Sequence, residues 1–190
     1  MIADALYFVS EQLDNFLKRK TSREKLVVKL SGLVTPEGGI SVTEDDILVL
    51  SVVNIAEEGS IANQSNIKRQ GNGFQKQAPP VYLNVYLLVS ALFKDDQYKT
   101  GLHWLSLAIN FFQEHPCFIS SQIEMPKGVD KLSFELVNLD IDNMSRFWGA
   151  LGARYQPSVI YKMRMLKISS DTMEAVLPEI TDTKIKTNSS

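Results

Sequence analysis

The chain has 190 residues, 44% of them apolar and 22% charged, and a net charge of −2. That composition excludes a wholly disordered chain, and the charge balance argues against a nucleic-acid binder driven by global phosphate attraction. A single cysteine, Cys117, excludes an internal disulfide framework, and two histidines, His103 and His115, leave little material for metal or acid–base chemistry.

The start of the chain lacks the pattern of a secretory signal: Asp4 and Glu11 come early and the basic residues come last. The longest apolar run, Val81 to Phe93, is shorter than the roughly 20 residues of a spanning helix. The expectation is a protein folded in the cytoplasm with no membrane span.

Ile2, Leu6, Val9, Leu13 and Phe16 are spaced 4, 3, 4, 3, which is one face of a helix. Asp4, Glu11, Asp14 and Asn15 are assigned to the other face, and Lys18, Arg19 and Lys20 complement the helix dipole. Leu26 to Leu30 reads as a short strand. Thr35 to Gly39, with Pro36 and two glycines, reads as a turn. Ile47 to Ile55 is apolar on both faces and β-branched, as a strand covered on both sides requires. Residues 59–78 are rich in Gly, Asn and Gln and read as a long polar loop or the far part of a hairpin.

Pro79 and Pro80 precede a second strong strand, Val81 to Val89. A helix is predicted from Asp95 to Glu114 with the stripe Tyr98, Leu102, Leu105, Ile109 and Phe112, stopped by His115-Pro116. Lys131 to Val137 alternates as a half-buried strand does, with Leu132, Phe134 and Leu136 on one side. Asp140 is the predicted N-cap of a short helix ending near Leu151, with Met144, Phe147, Trp148 and Leu151 inward. Val159 to Ile168 reads as the final strand, its apolar side carrying Val159, Tyr161, Met163 and Met165 and its polar side Lys162 and Arg164. Three helices and about five strands give an α+β sandwich with a mostly antiparallel sheet. Residues 1–168 form the domain and residues 169–190 a C-terminal arm in which Val176, Leu177 and Ile180 are docking residues.

Catalytic signatures do not emerge. There is no nucleophile elbow. Gly71-Asn72-Gly73 lacks the remainder of a phosphate loop and reads as a turn. His115 and Cys117 have no partner pair at metal-site spacing. Glu44-Asp45-Asp46 reads as a solvated turn, and Asp140 to Asn143 as a cap rather than a calcium loop. Trp104 and Trp148 lie beside apolar stripes and read as core. The cluster Lys18, Arg19, Lys20, Arg23 and Lys25 reads as a helix end with a solvated loop, or as a contact for an acidic partner. No catalytic, metal or cofactor residues are assigned, and no cofactor is expected.

Three segments together resemble one family: Pro79 to Leu88 (PPVYLNVYLL), Tyr98 to Pro116 (YKTGLHWLSLAINFFQEHP) and Phe147 to Leu166 (FWGALGARYQPSVIYKMRML). The last is the most specific, through its order of Trp148, Tyr155, Pro157-Ser158 and Tyr161-Lys162. The chain is similar over residues 1–168 to the N-terminal domain of the tail-terminator (cap) proteins of phage-tail-like contractile injection systems, of the antifeeding-prophage and virulence-cassette type. The resemblance implies a twisted, mostly antiparallel or mixed sheet flanked by helices. It implies a structural protein without catalysis, assembled in the cytoplasm into a ring, expected to be a hexamer, on the distal end of inner tube and sheath. The partners implied are further copies of the chain and the sheath and inner-tube proteins, with the particle released or anchored. An adaptor linking the cap to another component or to an anchoring site is the alternative. Lys68, Arg69 and Lys76 in the polar loop are candidates for the tube-facing or lumen-facing surface. Lys162 and Arg164 on the last strand, with the arm, are candidates for the sheath contact by strand addition.

Overall fold

In the computed structural model, which describes residues 2–25, 27–35, 37–39, 41–58, 67–70, 73–77, 81–168 and 173–178, the N-terminal stripe forms helix α1 (Ile2–Thr21). Leu6, Val9, Leu13 and Phe16 are buried as their spacing predicts. Asp14 departs from its predicted outer position. It is buried, and its Oδ1 accepts the backbone N–H groups of Val27 at 2.8 Å and Val28 at 2.9 Å. Lys18, one turn on, pairs with its other oxygen at 2.7 Å. Two more members of the basic cluster are engaged: Lys20 lies over the Phe16 ring and Arg23 over Trp104.

The strands are β1 (Val28–Leu30), β2 (Ile47–Glu57), β3 (Ile67–Gln70), β4 (Gly73–Gln77), β5 (Val81–Leu92), β6 (Cys117–Ile119), β7 (Lys131–Val137), β8 (Ser158–Ile168) and β9 (Met173–Pro178). Six of them form one sheet in the order β1-β2-β5-β8-β7-β6, antiparallel throughout except that β1 runs parallel to β2. The β-branched run of β2 does lie inside the sheet, and its first five residues are buried. A bulge near Val53 shifts its register with β5. The polar stretch holds the hairpin β3–β4, and β9, within the predicted arm, pairs antiparallel with β4 to make a second, three-stranded sheet. The predicted final strand is therefore followed by another.

Helices α1 and α2 (Tyr98–Glu114) cover one face of the large sheet. Their core holds Leu48, Leu50, Val85, Leu87, Tyr161, Met163 and Met165. The buried side of α2 is Gly101, Trp104, Leu105, Ala108, Phe111 and Phe112. This corrects the predicted stripe: Tyr98 and Leu102 are exposed. Small residues set the helix's orientation, because Gly101 and Ala108 permit close approach where the larger residues do not. A Cβ on Gly101 would stand 2.9 Å from the Phe93 ring.

On the opposite face, α3 (Ile141–Leu151) covers one end of the sheet, with Trp148 buried against Leu88 and Ile160. The Asp140 carboxylate accepts the N–H of Asn143 at 2.7 Å, as a cap should, and Gly152 ends the helix at φ 66°. The Thr35–Gly39 turn closes through Gly38 N–H to Thr35 O at 2.9 Å, with Gly38 at φ 83°.

Candidate interaction surfaces

The half of the second face beyond α3 carries alternating charge. Glu135 on β7 stands opposite Lys162 on β8 in the register, and the two pair at 2.8 Å. Arg164, two residues along on the same side, reaches Glu135 at 3.1 Å and Glu58, just past β2, at 3.8 Å. Asn84 on β5 donates its amide to Glu58 at 3.0 Å. Period-two alternation puts these residues on one face, and strand pairing puts opposite charges side by side. The Lys162 ammonium, through hydrogen bond and charge, holds the Glu135 carboxyl below its ordinary value. Two carboxylates offset two cations, so Lys162 and Arg164 belong to a self-compensated ladder that crosses the sheet. Sequence reading selected the two cations and missed Glu135 and Glu58, because the register that joins them is a tertiary property.

Both neighbours of β8 are strands, β5 and β7, so its edge is closed to strand addition. That corrects its assignment as an acceptor of a sheath arm. Of the other predicted interface residues, Lys68, Arg69, Lys76, Val176 and Leu177 fall in the small sheet. The register sets Lys68 level with Gln75 and Val176, Arg69 level with Phe74 and Leu177, and Lys76 level with Ala175. The predicted basic segment and the predicted arm are thus neighbours in one sheet. Ile180 lies outside the described residues.

Around α3, two clefts flank Trp148. One, of about 490 Å³, lies between Trp148 and the Leu33–Val42 segment, with Arg154 and Gln156 in its wall. The other, of about 520 Å³, is lined by Met144, Ile141 and Tyr155. Ile141 is 87% exposed.

Among the described residues there is no group of three or more His, Cys, Asp or Glu side chains placed to hold a metal, and no helix long and apolar enough to cross a membrane. His115 stacks on Phe111 and Phe118 and its Nδ1 lies 3.0 Å from Phe111 O, so it serves the aromatic core. The acidic run after Thr43 makes ion pairs: Glu44 with Lys29 at 2.6 Å and Asp45 with Lys94 at 3.0 Å.

A mixed six-stranded sheet with two helices on one face and one on the other has counterparts among solved structures. The sheath/tube terminator of PVC, an extracellular contractile injection system, in its extended state, aligns over 97% of this chain and 64% of its own at a TM-score of 0.64 and 12% identity. The tube-terminating cap of the anti-feeding prophage aligns over 97% of this chain and 61% of its own at a TM-score of 0.56 and 14% identity. The fold is thus an α+β domain of the tail-terminator class. The family model described as the Pvc16 N-terminal domain matches residues 8–181, and the chain belongs to that family. No curated protein matches it. The chain spans less than two thirds of the length of either structural relative.

Proposed function

We propose that the chain is a structural cap of a contractile injection system. Copies of it form a ring, sixfold in this reading, on the distal end of inner tube and sheath and end their polymerisation. The observation that carries this is the match of nearly the whole chain to the fold of a sheath/tube terminator, joined to membership of the Pvc16 N-terminal domain family. The ion-paired, helix-covered sheet offers shaped surfaces, and in this reading the role is assembly and not catalysis. The particle is assembled in the cytoplasm.

A tube or sheath grows because each ring exposes a surface that the next ring binds, a heterologous contact that does not close on itself. A terminator matches that surface on one side and fails to reproduce it on the other. In this reading Lys68, Arg69 and Lys76 meet the tube, and residues 169–190, with Val176, Leu177 and Ile180, meet the sheath beside Lys162 and Arg164. Residues 1–168 are the terminator-like domain and 169–190 its arm, joined back to it through β9 and β4. The test is polymerisation of purified tube and sheath proteins with the chain added at low molar ratio. Shorter, uniform filaments are expected; unchanged lengths contradict the reading. Removal of residues 169–190 is expected to weaken sheath pull-down while leaving the six-stranded sheet folded.

A further inference from the structure

The connection from α3 to β8, residues 152–156, contributes to both clefts around Trp148. The cleft of about 490 Å³ has Leu33 and Val42 on one side and Trp148, Arg154 and Gln156 on the other, with Leu92 of the sheet between them. Leu92 lies four residues along β5 from Leu88, so it belongs to the face that Trp148 covers.

Arg154 is the one charged residue among the described residues lining this cleft. It is exposed and makes no hydrogen bond or ion pair with a described residue. Glu37, in the facing segment, is exposed and stands outside the lining. An unpaired guanidinium in apolar surroundings favours a carboxylate, which meets its planar fork through two parallel bonds.

An independent observation comes from the same wall. Trp148 is 4% exposed, and its indole Nε1–H is buried with no described acceptor. Buried indole N–H groups ordinarily find a partner. The Ser90 and Ser158 hydroxyls, orphaned in the same way, belong to the same face. They stand opposite each other in the register, two residues from Leu88 and Ile160, on which Trp148 packs. A serine hydroxyl both donates and accepts, and facing serines can pair across strands. The indole only donates, so it calls for an acceptor.

The cleft also has low rims. Gly38 and Gly152, one from each side, have nothing within 4 Å of the place a Cβ would occupy. Their φ values of 83° and 66° favour glycine, which leaves that space open. A main chain can therefore lie through the cleft, with Gln156 able to donate to it and accept from it.

We propose that this cleft docks an extended segment of a partner protein in which an acidic side chain is flanked by apolar ones. The carboxylate pairs with Arg154, the apolar neighbours rest on Leu33, Val42 and Leu92, and a main-chain carbonyl accepts the Trp148 indole N–H. Docking includes a shift of the indole to uncover its N–H, which α3 permits because Trp148 is its one buried residue. The proposal goes beyond the cap reading and does not depend on it.

The test uses the full chain with isotope-labelled indole nitrogens, present only in Trp104 and Trp148, and the blocked peptide acetyl-Val-Leu-Glu-Leu-Val-amide. Binding is read by fluorescence anisotropy of the dye-labelled peptide and by movement of the Trp148 indole resonance, assigned with Trp148→Phe. Exchanging the peptide's Glu for Gln, or introducing Arg154→Gln, is expected to weaken binding about tenfold, and the two together no further. Arg154 is exposed, so Arg154→Gln is expected to keep the parent's melting temperature. Equal affinity for the Glu and Gln peptides, binding that leaves the Trp148 resonance in place, or no binding at millimolar peptide overturns the proposal. A Gln peptide with a free C-terminus that binds as tightly as the Glu peptide overturns the internal segment in favour of a chain end. Loss of self-assembly on Arg154→Gln overturns it in favour of a second copy of this chain. Each of these results leaves the cap reading standing.

Discussion

The carboxylate of Asp14 on α1 accepts the backbone N–H of Val28 on β1 at 2.9 Å, and the same oxygen takes the N–H of Val27. One side chain therefore satisfies the start of an edge strand and fixes the helix to it. Buried N–H groups left without a partner carry a desolvation cost, and bonds to a charged acceptor are the stronger kind. Asp14→Ala is expected to lower unfolding free energy by about 3 kcal/mol. Asp14→Asn is expected to lose less, because its amide oxygen still accepts. Urea titration of the three proteins checks both, and an Ala variant within error of the parent contradicts the anchor.

The Phe93 ring sits where a side chain at position 101 would go, at 2.9 Å from a built Cβ, and it is held in turn edge-on by Trp104 at 5.1 Å. In an exposed helix, Gly→Ala stabilises by about 1 kcal/mol. Here the overpacking cost, about 1–3 kcal/mol, works against that gain. Gly101→Ala is expected to be net destabilising by about 1 kcal/mol, read as a lowered melting temperature; a raised one contradicts the close packing of α2 on the sheet.

The contrast between Gly101 and its neighbours shows what the sequence makes legible. Periodicity locates α1, α2, α3 and the long strands, because 3.6- and 2-residue repeats are local properties. The Asp140 cap is legible for the same reason: donor and acceptor are three residues apart. The rotation of α2 is not, since size-blind counting of large apolar residues selects Tyr98 and Leu102, whereas the sheet selects Gly101 and Ala108 for their smallness. Asp14 reads as a surface acid because its partners lie 13 and 14 residues away. The charge ladder and the pairing of β9 with β4 depend on register between strands distant in sequence, which no single segment encodes.

The Glu135–Lys162 pair gives a pH test. The folded-state value of Glu135 is lowered from the ordinary 4.5 by the Lys162 hydrogen bond first and its charge second. A lowered carboxylate contributes stability above its unfolded value and loses it as pH falls through the folded one. The stability gap between the parent and Glu135→Gln is expected at pH 7, to shrink below about pH 4.5, and to vanish in stronger acid. Both groups of the pair reach solvent, so the gap should also narrow with salt. A gap that grows on acidification contradicts the ladder.

Burial of Trp148 between α3 and the sheet gives a further check, because its indole meets Leu88 and Ile160 across the second face. Trp148→Ala is expected to lose about 3–5 kcal/mol in chemical denaturation. A loss below about 1 kcal/mol contradicts the role of α3 as a covering layer.

The central claim is that this chain stops a growing polymer by occupying its end. Cryo-electron microscopy of tube and sheath assembled with the full chain tests that most directly. The account predicts a closed ring of this chain at one end of each filament, with its density absent along the shaft. Filaments whose two ends are bare, or a chain distributed along their length, would contradict it.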